Sequence, residues 1–192
     1  MFRKSNIWTL NRRTLNWLQI MLIGTGCLCL TVAGIRWLDA AAFQRTAAAT
    51  LDHNLLAPPH PAPVPDNGIV GRLEIPRVGL SVMVVNGDDD DTLSRAVGHL
   101  RGTAFPWEIG NTAMAGHRDT FFRPLKEVRE GDAIRITTVL GTFTYRVTGT
   151  EIVGPDDVSV LAPTPYRALT LVTCYPFVYV GRAPKRFIIH AR

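Results

Sequence analysis

The sequence predicts an all-β domain: a closed or nearly closed barrel of eight short strands with short helices, preceded by an N-terminal transmembrane helix. Three observations carry that expectation. From Gly68 onward, short runs rich in Val, Ile, Thr and aromatics recur between Gly, Pro, Asn and Asp. No strand–helix alternation of the βαβ kind is present, which argues against a parallel sheet, and about 125 residues of short strands suit a barrel. Ahead of this region, 22 residues between Arg13 and Arg36 carry no charge. At about 1.5 Å per residue, that length crosses a bilayer core.

Taken in order, residues 1–13 contain Arg3, Lys4, Arg12 and Arg13, a positive-inside bias that predicts a cytoplasmic N-terminus. Residues 14–38 form the expected transmembrane segment, with Trp8, Trp17 and Trp37 near its ends as interfacial aromatics. Ala40-Ala41-Ala42 offers a signal-peptidase site, but the uncharged stretch exceeds the usual apolar core of a cleaved signal. Gly24 stands where a lipobox before Cys27 usually has Leu. An uncleaved signal anchor is therefore the expectation, with everything after Arg36 facing outward. Residues 39–67 read as a stalk, Ala-rich and then extended by Pro58, Pro59, Pro61, Pro63 and Pro65. His53 and His60 lie there without further metal ligands nearby and read as solvated.

The barrel occupies residues 68–192. Strands are predicted near Ile69–Ile75, Leu80–Val85, Asn111–Ala115, Ala133–Thr138, Thr142–Val153, Leu169–Thr173 and Phe187–His190, with a short eighth near His99. Leu140-Gly141 marks a hairpin, and Phe143, Tyr145 and Val147 alternate with polar residues after it. The four acids Asp88 to Asp91 suit a helix start better than a Ca²⁺ site, because neighbouring helical side chains diverge.

The net charge of +5 divides into +3 for residues 1–67 and +2 for residues 68–192, so the barrel is close to neutral. No clustered basic face presents itself for nucleic acid.

Chemistry is suggested by cysteine use. Cys27 and Cys29 lie in the membrane segment, leaving Cys174 as the one thiol of the exported part, with no partner for a disulfide. Its bland alternative is an inert, buried small residue. A nucleophilic thiol needs a nearby imidazole or cation. His117 follows the apolar run Ala113 to Gly116, at a strand end where a side chain emerges on a barrel rim; Gly116 leaves room for close approach by a ligand or backbone. His99 and His190 sit among apolar neighbours and read as structural. For an oxyanion, Arg186 at the start of the last strand is better fixed than Arg182 in a Gly-Pro loop.

These residues resemble a known family. TLVTC (Thr170 to Cys174) and AGHRDTFF (Ala115 to Phe122) look like the sortase signatures. CYPFVYVGRAPKRFIIHA (Cys174 to Ala191) resembles class D sortases in particular. The likeness runs from Ile69 to the C-terminus and includes IVGRLEIPR and PDDVSVL.

The resemblance implies an eight-stranded β-barrel cysteine transpeptidase, without metal or other cofactor. Cys174 would attack the threonine carbonyl of an LPXTG-like signal on an exported protein. His117 would serve as acid and base, and Arg186 would hold substrate and oxyanion. Thr173, Ala115 and Tyr175 would line the substrate site, and Asp119 reads as loop structure. The acceptor would be an amine on peptidoglycan or a pilin subunit. Two rivals remain: a cysteine peptidase that hydrolyses the same signal, and a non-catalytic, membrane-tethered binding barrel.

Overall fold

The structure, a computed structural model, describes residues 12–56 and 63–192. Arg3, Lys4, Trp8, His60, Pro58, Pro59 and Pro61 lie outside the described residues. The chain divides into two compact units between Asp39 and Ala40.

The first unit is the leading part of helix α1 (Arg12–Asn54), the one described helix long and apolar enough to cross a membrane. Its large apolar side chains, Trp17, Leu22 and Trp37 among them, are exposed. Thr25 and Thr31 donate their hydroxyls to the carbonyls of Met21 and Cys27, one turn back. That satisfies both hydroxyls without water, as a lipid environment requires.

The second unit opens with residues 40–54 of the same helix. The Ala-rich start of the expected stalk is helical through Asn54 and docks on the barrel. Ala is the strongest helix former, and an Ala-rich run continues a helix more readily than it unwinds. Phe43, Ala47 and Leu51 recur every four residues on one face; Ala47 and Leu51 are buried against Met83, with Phe43 packed beside them. Gln44 accepts from the Met83 amide and donates to the Arg95 carbonyl, at 2.9 and 2.8 Å. Asp52 pairs with Arg72 at 2.8 Å. The segment before β1 is also fastened down. The Asn86 carboxamide donates to the Val64 and Pro65 carbonyls, and Asn67 and Gly68 exchange backbone hydrogen bonds with Asn86.

Eight strands follow: β1 (Ile69–Ile75), β2 (Leu80–Asn86), β3 (Val97–His99), β4 (Asn111–Ala115), β5 (Ala133–Thr138), β6 (Gly141–Val153), β7 (Ala168–Tyr175) and β8 (Lys185–Ala191). They close in the order β1-β2-β3-β4-β7-β8-β6-β5, with β5 returning to β1. Gly79, at φ 65°, supplies the left-handed residue that turns β1 into β2. The expected β5–β6 hairpin is present, but it turns at Val139 and Leu140, one residue earlier than Leu140-Gly141, because Gly141 is already the first residue of β6.

Two ladders, β2 with β3 and β4 with β7, are parallel and the rest antiparallel, so the barrel is mixed and is not the parallel sheet that the sequence argued against. Helix α2 (Asp90–Arg95) lies between β2 and β3. The acid run starts it, with the Asp89 carboxylate accepting from the Thr92 amide. The core follows strand alternation: Leu73, Ile75, Val82, Val84, Met114, Ile134, Ile136, Leu169, Leu171 and Ile189 pack inside.

Candidate active site

Strand β7 sorts its side chains cleanly. Leu169, Leu171 and Thr173 are buried on the core side, whereas Val172 and Cys174, on the opposite face, are half-exposed. Cys174 therefore faces outward from the barrel wall. Strand β8 runs antiparallel beside it, and the register sets Cys174 directly opposite Arg186. Directly opposed residues share a face, with Cβ atoms about 5 Å apart. The ladder extends further than the sequence suggests, through Tyr175 opposite Lys185, so both residues lie within it.

On its other side β7 pairs in parallel with β4, with Ala115 opposite Val172. His117 lies two residues beyond Ala115, and Cys174 lies two residues beyond Val172. Two parallel chains advancing in step reach the same level of the barrel. The match holds past the strand end, where the Gly116 amide donates to the Val172 carbonyl at 3.2 Å. The fold thus brings together the end of β4, the end of β7 and the start of β8.

The loop after β4 is built on Gly116. A Cβ there would stand 2.9 Å from the ring of Phe122, which is fully buried. The close approach that requires glycine is made by an aromatic ring, not by a ligand or backbone. Phe122 returns its amide to the His117 carbonyl, closing the turn. The His117 ring is exposed and makes no hydrogen bond among the described residues. Asp119 is exposed in the same turn.

The residues expected to line a substrate site divide. Ala115 is half-exposed on the outer face of β4, and Tyr175 is half-exposed where β7 ends. Tyr175 forms an aromatic cluster with Phe177 and Phe187. Thr173 is buried, and its hydroxyl donates to the Gly116 carbonyl at 2.7 Å. That hydroxyl is taken up by the His117 loop, on the face of β7 opposite to Cys174. Arg186 is half-buried, with Nη1 donating to the carbonyls of Lys185 at 3.1 Å and Ala183 at 3.4 Å. Arg182 is exposed in the loop.

His99 is buried, with Nε2 3.0 Å from the Ala104 carbonyl and Phe105 stacked on its ring. Burial pushes its pKa down, against the opposing pull of that carbonyl. His190 pairs with Glu151 at 2.7 Å, on β8 well away from Cys174. His99 is a buried structural histidine, whereas His190 is half-exposed and pairs with an exposed glutamate at the surface.

Sequence reasoning missed Arg118 and Tyr179. Arg118 donates from Nη2 to the Tyr179 carbonyl at 2.9 Å, and its guanidinium lies 5.8 Å from the centre of the Tyr179 ring. Their adjacency to His117 and to the Cys174–Arg186 connection was visible, but nothing local signals a contact across 61 residues.

A closed mixed barrel with an outward thiol, a cross-strand arginine and a rim histidine defines a class of thiol-bearing β-barrels. A family model for the sortase domain matches residues 73–192, and the chain belongs to that family. It is 43% identical over 123 residues to Sortase D of Bacillus subtilis (strain 168), covering 64% of this chain and 62% of that protein. It is 33% identical over 123 residues to Sortase SrtE1 of Streptomyces coelicolor, covering 54% of this chain and 35% of the relative. The chain thus spans less than two thirds of the length of these relatives. Among solved structures, a Clostridium perfringens Sortase D5 transpeptidase superposes with a TM-score of 0.69 at 23% identity, over 79% of this chain and 98% of that one. The SrtA sortase from Actinomyces oris does so with a TM-score of 0.62 at 31% identity, over 70% and 86%.

Proposed function

We propose that this chain is a membrane-anchored cysteine transpeptidase acting on exported proteins that carry a C-terminal LPXTG-like sorting signal. The observation that carries the reading is the register that sets Cys174 opposite Arg186 while the parallel β4–β7 ladder brings up the His117 loop. The membership of the sortase family supports it.

In this reading the Cys174 thiolate attacks the threonine carbonyl of the signal, and the tetrahedral oxyanion is met by the Arg186 guanidinium. Collapse breaks the peptide bond after threonine. His117 gives a proton to the departing amine, leaving a thioester on Cys174 and a free C-terminal fragment. An incoming amine, on peptidoglycan or a pilin subunit, attacks that thioester. His117 takes up the proton as the C–S bond breaks, releasing the joined product and restoring the Cys174 thiolate beside a protonated imidazole. The apolar leading part of α1 anchors the chain, and the basic pair Arg12 and Arg13 before it supports a cytoplasmic N-terminus with the barrel outside.

The test is mass spectrometry of the full chain incubated with an LPXTG-like peptide, with and without an added amine. The expected results are a thioester adduct on Cys174 and an amine-ligated product, both lost in Cys174→Ala. Turnover retained in that variant, or products from hydrolysis alone in the presence of amine, would overturn the reading.

A further inference from the structure

Two loops meet above the site, and one side chain joins them. The loop after β4 carries His117, and residues 176–184 connect the strand of Cys174 to the strand of Arg186. Arg118 belongs to the first and Tyr179 to the second. We propose that Arg118 is a positioning residue. By binding the Tyr179 carbonyl through Nη2 and lying over the Tyr179 ring, it clamps the two loops and sets the imidazole at reacting distance from the thiol. The proposal deepens the transpeptidase reading and rests on it.

Three observations support the clamp. First, the His117 ring has no hydrogen-bond partner among the described residues, so no third group orients it and its place depends on its backbone. Second, that backbone is held to β7, through Thr173 to Gly116 and Gly116 to Val172, and within its own turn by the Phe122 amide on the His117 carbonyl. None of these ties reaches residues 176–184. Arg118 supplies that tie, to a loop whose Val178 and Val180 are 94% and 99% exposed. Third, Nη1 of Arg118 is buried without a hydrogen-bond partner among the described residues. An unmet buried guanidinium nitrogen is costly, so the group is held where it is by what Nη2 and the ring plane gain from Tyr179.

The experiment compares the full chain in detergent with Arg118→Met, Arg118→Lys, Tyr179→Leu and the Arg118→Met/Tyr179→Leu double variant, with His117→Ala as reference. Turnover of an LPXTG-like peptide with an amine acceptor gives kcat and KM. The rate of iodoacetamide alkylation at Cys174 against pH, read on the Cys174 peptide, needs no turnover. Arg118→Met should lower kcat by roughly tenfold or more while KM moves by less than about twofold, the signature of misplaced reacting groups. Arg118→Lys should restore part of the loss, because an ammonium still donates to the carbonyl. The Tyr179→Leu loss should vanish on the Arg118→Met background. The alkylation profile of Arg118→Met should move toward that of His117→Ala.

An unchanged kcat, a rise in KM alone, multiplicative losses in the double variant, or a wild-type alkylation profile in Arg118→Met would overturn the clamp. A wild-type chain that turns over no peptide while its alkylation profile still responds to Arg118 would overturn the transpeptidase reading and leave the clamp standing.

Discussion

The hydroxyl of Thr173 donates to the carbonyl of Gly116 across 2.7 Å, tying the strand that carries the thiol to the loop that carries the imidazole. Thr173→Val keeps the shape but leaves that buried carbonyl unmet, at a cost of about 1–3 kcal/mol. A lower melting temperature and a lower kcat are expected together, with Thr173→Ser close to wild type in both. Thermal melts and peptide turnover check this. Wild-type behaviour in Thr173→Val would show that the tie is dispensable.

The two arginines after Cys174 should separate sharply. Arg186 lies in the ladder opposite Cys174, whereas Arg182 is exposed in the loop. Lysine preserves the charge at either position but loses the planar fork. Arg186→Lys should lower turnover by about 10²-fold or more, the scale of one lost oxyanion donor. Arg182→Lys should cost less than about tenfold, as for a solvated charge. Equal losses in a fluorogenic peptide assay would mean the wrong arginine was chosen.

Gly116→Ala should destabilise the barrel by about 1–3 kcal/mol, because its methyl group meets the buried Phe122 ring. Phe122→Leu should relieve part of that cost in the double variant. Denaturant titration of the four proteins gives the coupling, and simple additivity would exclude the overpacking account.

Much of the fold was legible because its signals are local. Alternation gave β1, β4 and β5 their observed limits, Leu140-Gly141 gave the hairpin, and the acid run at Asp88 to Asp91 gave the start of α2. Cys174, His117 and Arg186 could be named from residue type and position. What stayed hidden was non-local. The parallel ladders join β2 to β3 and β4 to β7 by hydrogen bonds that leave no periodic mark. Residues 40–54 read as stalk because alanine gives a weak apolar signal, although Phe43, Ala47 and Leu51 already marked one face. The Thr173 hydroxyl was visible, but not that it would be spent on a backbone carbonyl.

That docked helix changes where the independent domain should begin. A fragment starting at Gly68 loses the Gln44 bridge, the burial of Leu51 and both acceptors of the Asn86 carboxamide. Burial of one leucine alone is worth about 1.5–3 kcal/mol. Residues 40–192 should therefore melt roughly 5–10 °C or more above residues 68–192, on the usual scaling for domains of this size. Gln44→Ala in the longer fragment should recover part of the difference. Equal melting temperatures would show the helix to be an ornament of the barrel.

Acid should weaken the barrel in two windows. His99 has a depressed pKa in the fold because burial disfavours its charged form. Its contribution is therefore complete above the unfolded value of 6.5 and is lost as pH falls below it. Asp132 is held below its ordinary value by the Arg77 hydrogen bond, so its contribution persists above 3.8 and fails only under stronger acid. Melts from pH 8 to pH 5 should show a decline that His99→Gln flattens. A decline of the same slope in that variant would assign the first window to another group.

β5 returns to β1, so the barrel closes, yet β7 outruns β4: its pairing with β4 stops at Val172 while its pairing with β8 runs on to Tyr175. The wall at Cys174 is thus paired on the β8 side, and only the short stretch from Thr173 to Tyr175 lacks a β4 partner. That stretch is too short for the strand addition by which sheets capture extended chains with little regard for sequence. In the proposed reading, the signal peptide crosses the outside of the wall over β4 and β7, recognised through side chains and a few isolated backbone groups. Such a surface reads a short word and ignores the protein attached to it, as the proposed transpeptidase reading requires.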